Sequence, residues 1–118
     1  MNIMFVETRV FTKRLAGMGL EEELKDLQED ILANPEAGRL DPGTGGLRKL
    51  RVPDRRRAKG KRGGARVHYL WLSDQQLVYF LFVYGKDESD TLTPAQKREL
   101  RDVVNAIKTS HGRRRRET

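Results

Sequence analysis

Eight consecutive residues, Leu77 to Tyr84 (LVYFLFVY), are apolar or aromatic without a break. A strand sends successive side chains to opposite faces, so a run with no polar parity has to be covered on both sides. The chain must therefore build a sheet with this segment inside it and supply apolar material to each face. With 118 residues there is length for one such domain and not for two.

The other segments fit that requirement. Asn2 to Val6 is short and β-prone, and Thr8 can cap a short helix carrying Phe11 and Leu15, interrupted by Gly17 and Gly19. From Leu20 to Ala33, Leu20, Leu24, Leu27 and Ile31 recur at helical spacing, with Glu21, Glu22 and Glu23 in the first turn where the helix dipole favours acids. Asn34-Pro35 stops this helix, and the prolines and glycines of NPEAGRLDPGTGG exclude a regular element from the connection that follows. Leu47 to Val52 then alternates as a strand, Leu50 and Val52 facing one way, Lys49 and Arg51 the other. In Ala65 to Leu72, Ala65, Val67, Tyr69 and Trp71 share a face, and Arg66 and His68 share the opposite, open one.

Ser73 to Gln76 makes a hairpin turn into the apolar run. Thr93-Pro94-Ala95-Gln96 is a capping box with proline at the first helical position, followed by the apolar stripe Leu100, Val103, Val104 and Ile107. The resulting order, β-α-α-β-β-β-α, predicts an α+β domain over residues 1–109, with helices on a largely antiparallel sheet. Residues 110–118 have no core-forming side chains and are predicted to be a disordered basic tail.

Composition narrows the chemistry. There is no cysteine and only two histidines, His68 and His111, which argues against a metal site. No run approaches the roughly 20 apolar residues of a membrane helix, and the start lacks a signal sequence, so a cytoplasmic protein without membrane contact is expected. The net charge is +7, but ten basic residues and a single acid, Asp54, lie between Arg48 and Arg66. Charge concentrated in this way is the footprint of a polyanion binder. The glycines among Arg55, Arg56, Arg57, Lys59, Lys61 and Arg62 lack the spacing of a P-loop, so nucleotide hydrolysis is not implied. The alternative for this segment is a solvated loop without defined contacts.

With those elements in place, the strings MFVETRVF, GTGGLRKLRV, GKRGGARVHYLW and YGKDESDTLTPAQKREL, in this order, resemble the RelE/HigB superfamily of bacterial toxins, and one HigB-type branch in particular. The resemblance covers residues 1–108. It implies the toxin of a type II toxin–antitoxin system, a ribosome-dependent mRNA endonuclease that inhibits translation. The message's 2′-hydroxyl attacks the adjacent phosphate in the A site, with neither metal nor cofactor. It also implies a HigA-like helix-turn-helix antitoxin as partner, through which any contact with DNA would be indirect.

By that resemblance, Lys49 and Arg51 are the two basic residues of the strand after the helical pair, and Arg66 is the arginine of the next. Lys86 is retained from a Gly-Lys-Arg string whose arginine is replaced here by Asp87. Arginine is a poor proton carrier, so Arg66 is cast as a phosphate clamp. Proton transfer is left among His68, Lys86, Asp87 and Tyr84, with His68 alone more often structural than catalytic. Arg48, Arg55, Arg56, Arg57, Lys59, Lys61 and Arg62 are assigned to ribosomal RNA. A second function fits the same residues, a toxin-fold module that binds RNA or the ribosome without cleaving.

Overall fold

The structure is a computed structural model that describes residues 2–54, 64–86, 88 and 91–117, with side chains to residue 112. Its elements are β1 (Met4–Glu7), α1 (Arg9–Met18), α2 (Glu21–Ala33), β2 (Arg39–Leu40), β3 (Arg48–Val52), β4 (Ala65–Leu72), β5 (Leu77–Gly85) and α3 (Pro94–Glu117). The fold is α+β, with a sheet ordered β1-β5-β4-β3-β2. All neighbours are antiparallel except β1 on β5, which is parallel. No helix among the described residues is long and apolar enough to cross a membrane.

Strand β5 is covered on both faces, as its composition requires. On one side, Val78, Phe80 and Val83 join Val67 and Tyr69 beneath Phe11 and Leu15 of α1 and Leu24, Leu27 and Ile31 of α2. Phe80 stacks between Phe5 and Phe11, at 5.7 and 5.0 Å between ring centroids. On the other side, Leu81 and Leu70 meet Leu47 and Val104, with Tyr79, Leu72, Leu100 and Ile107 packed around them.

Phe80 and Val83 are three residues apart yet enter the same core, which strict alternation forbids. The pairing explains it: Tyr69 faces Phe80 and His68 faces Phe82, so Leu81 is an extra residue in β5. This bulge reverses the parity of the rest of the strand and turns Tyr84 to the face of Arg66 and His68.

The caps follow the sequence. The Thr8 hydroxyl accepts from the Phe11 N–H, α1 continues through Gly17, and Gly19 ends it with φ of 68°. Thr93 and Gln96 make their reciprocal bonds at 3.1 and 2.9 Å.

Three expectations are corrected. The connection after α2 does contain a regular element, the two-residue β2, held from both flanks. The Gly38 N–H donates to the Tyr69 hydroxyl at 3.0 Å, and the Asp41 N–H to the Leu47 carbonyl at 2.9 Å. Helix α3 does not end at Ser110 but runs to Glu117, and within this extension His111 hydrogen bonds to the Tyr79 hydroxyl at 2.9 Å. Val103 lies outside the α3 stripe, 42% exposed, while Val104 is fully buried.

Because the larger core is organised around Phe80, Phe80→Ala is expected to cost about 3–5 kcal/mol. Urea denaturation of the variant and the parent checks this.

Candidate nucleic-acid interface

The register places the basic residues in two rows on the sheet face opposite the larger core. Arg39, Lys49 and His68 lie across β2, β3 and β4, and Arg51, Arg66 and Tyr84 across β3, β4 and β5. The alternation of β3 and β4 was therefore legible. Coverage was not. The expected open face is open only toward the β2 edge, where Arg39 and Arg51 are exposed and Lys49 is half-buried. Arg66 is 2% exposed and His68 is fully enclosed. The physical reason is the bulge: Tyr84, swung onto this face, stacks on the His68 ring at 5.8 Å and pairs with Arg66 in register.

His68 belongs to a buried charge network. Its Nε2 lies 2.8 Å from Asp41 Oδ2, while Asp41 Oδ1 accepts from Lys97 Nζ at 3.0 Å, and the same ammonium donates to the Pro42 carbonyl at 3.0 Å. Burial pushes the imidazole below its ordinary value of 6.5. The bond and charge of Asp41 oppose this without reversing it, and the charges of Lys49 and Lys97 add to the depression. Burial raises the Asp41 carboxyl, but the hydrogen bonds and charges of His68 and Lys97 together hold it below its ordinary 3.8. His68 is thus neutral at pH 7. A carboxylate only accepts, so the proton sits on Nε2 and leaves Nδ1 as an acceptor with no partner among the described residues. Enclosed as it is, His68 anchors the Asp41 turn and the start of α3 to the sheet, and it is not positioned to touch a substrate.

The remaining assignments divide by what each side chain already holds. Arg48 is half-buried, its guanidinium donating to the carbonyls of Gly38 at 2.8 Å and Glu36 at 3.3 Å, a structural engagement on the other sheet face. Lys86 is exposed at the end of β5, its N–H bound to the Gly64 carbonyl at 3.0 Å. Arg55, Arg56, Arg57, Lys59, Lys61, Arg62 and Asp87 lie outside the described residues.

What the structure brings together is Arg39, Lys49 and Arg51, which with Ala37 and Leu50 line an open pocket of about 370 Å³. Arg39 was missed from the sequence, since the segment holding it reads as turn. Arg51 also borders a second pocket, of about 380 Å³, whose other wall is Glu23, Asp26, Glu29 and Asp30 of α2. The site is a basic edge with an acidic shoulder, able to hold an anion by charge and hydrogen bonding. No family model matches the chain.

Both depressed groups stabilise the fold in their deprotonated forms, so acidification is unfavourable. The contribution of His68 is complete above pH 6.5 and is lost as pH drops below it, and that of Asp41 is complete above 3.8 and is lost below it. His68→Gln should flatten the first step, read from denaturation midpoints between about pH 7 and 5. Arg66→Ala is expected to lose more than about 1 kcal/mol, and the exposed Arg51→Ala less than about 0.5 kcal/mol, in the same measurement.

Proposed function

We propose that this protein is a RelE/HigB-type toxin, an endonuclease that cuts messenger RNA in the ribosomal A site and so inhibits translation. The observation that carries the reading is the pocket lined by Arg39, Lys49 and Arg51 on one edge of an α+β sheet with the RelE-like order of elements. The concentration of basic residues between Arg48 and Arg66 supports it. Phosphate contacts from that segment would seat the protein on ribosomal RNA, with the codon supplying any base preference. A HigA-like antitoxin and action inside the cytoplasm belong to the same proposal.

In the reaction, the 2′-oxygen forms a bond to the adjacent phosphorus as the bond to the 5′-oxygen breaks. The fragments end in a 2′,3′-cyclic phosphate and a 5′-hydroxyl. Negative charge accumulates on the non-bridging oxygens, and Lys49 and Arg51 would supply the preorganised cations that lower that barrier. One proton leaves the 2′-hydroxyl and one reaches the departing 5′-oxygen. Among the described residues, Lys49 and Lys86 are accessible proton carriers, whereas His68 is enclosed.

The enclosure of His68 favours a second reading, a module that occupies RNA or the ribosome without cutting. Mapping RNA 5′ ends in a translating extract separates the two. Cuts in the A site that vanish without ribosomes are expected, with Arg51→Ala slowing them about 10²-fold or more. Translation arrest without cuts above background would establish occupancy instead.

A further inference from the structure

Several cations among the described residues are already engaged. Arg14 pairs with Glu88 at 2.7 Å, Arg48 with backbone carbonyls, Lys97 with Asp41, and Lys108 with the Gly45 carbonyl at 2.7 Å. Arg39, Lys49 and Arg51 have no ion pair among the described residues, and no acid lines the pocket they share. Like charges held in one concavity repel, and nothing in this pocket offsets the repulsion. An anion would.

Arg39 is the residue of this group whose place the fold secures with most effort. A two-residue strand does not hold itself, yet both neighbours of β2 are pinned. On one side, Gly38 is bound through its N–H to the Tyr69 hydroxyl and through its carbonyl to Arg48. A Cβ at position 38 would come within 2.9 Å of the Tyr69 ring, so only glycine allows that approach. On the other side, Asp41 is fixed by Leu47, His68 and Lys97. Arg39 is then held opposite Lys49 in antiparallel register, their Cα atoms about 5 Å apart and their side chains on one face.

The geometry points to Arg39 as a phosphate-binding residue that completes, with Lys49 and Arg51, a cradle selective for the backbone of single-stranded RNA. The selectivity comes from the shoulder. Beyond Arg51 the surface turns acidic, with the exposed Asp26, Glu29 and Asp30 in the adjoining pocket. A duplex carries phosphates on both strands and would lay its second strand toward those carboxylates, whereas a single strand needs only the basic side. The inference rests on the toxin reading for its substrate, but binding at this edge does not require cleavage.

The test uses the full chain and a fluorescently labelled single-stranded RNA oligonucleotide, with anisotropy followed across a salt series. Arg39→Ala should weaken binding about 3- to 10-fold and reduce the slope of log affinity against log salt by about 0.7. Arg39→Lys should keep most of the slope, and Arg98→Ala, exposed on α3 outside the pocket, should leave binding unchanged. The same sequence as a blunt duplex should bind more weakly than the single strand. An Arg39→Ala protein that binds like the parent, or a duplex bound as tightly as the single strand, overturns the cradle. Failure of the parent to cut message on ribosomes, with the Arg39 effect intact, overturns the endonuclease and leaves the cradle standing.

Discussion

Strand β5 buries both of its faces, and the other elements are arranged to cover it. Each large side chain removed from water there contributes about 1.5–3 kcal/mol. Two helices are needed on one face and a third on the other. Covering one face completely with α1 and α2 leaves α3 to cover only part of the second, from Leu47 and Leu70 to Leu81. The part of that second face nearest β2 is left for polar groups. The site exists because the second layer is incomplete.

Within that uncovered region the extra residue in β5 decides which groups are accessible. Without it, Tyr84 would point into the larger core with Phe80. With it, Tyr84 stacks over His68 and closes off the middle of the sheet. Lys49 and Arg66 have the same parity on neighbouring strands, yet one is half-buried and the other 2% exposed. The bulge thus sorts the basic residues into an enclosed group that supports the sheet and an edge group that meets solvent.

What was legible in the sequence was local or periodic. The capping box at Thr93, the spacing of Leu24, Leu27 and Ile31, and the alternation of β3 and β4 each depend on residues a few positions apart. What was not legible depends on distant partners. The strand β2 exists because Gly38 meets Tyr69 and Asp41 meets His68, contacts 31 and 27 residues away in sequence. A run apolar at every position, such as LVYFLFVY, gives no sign of a parity change at Leu81. Helix α3 outlasts its apolar stripe, and His111 beyond that stripe meets Tyr79, a contact that neither residue announces. The phosphate-contacting role expected of Arg66 came from the resemblance and its open placement from parity, and parity carries no information about what lies above a residue.

The pairing of charges makes a sharper guide to function than their number. A chain with 24 lysines and arginines offers many surfaces able to attract a polyanion. The anchor of Asp41 shows how the fold treats charge it needs for structure: the carboxylate is nearly enclosed and satisfied from two sides, by an imidazole and an ammonium. The same anchor holds the end of the strand that carries Arg39, so a buried, compensated network fixes the backbone of an exposed, uncompensated one. Desolvating Asp41 and His68 is unfavourable in isolation. It becomes intelligible when the strand it positions carries Arg39 into a pocket lined by no acid, since a cradle organised before binding loses less freedom when its anion arrives.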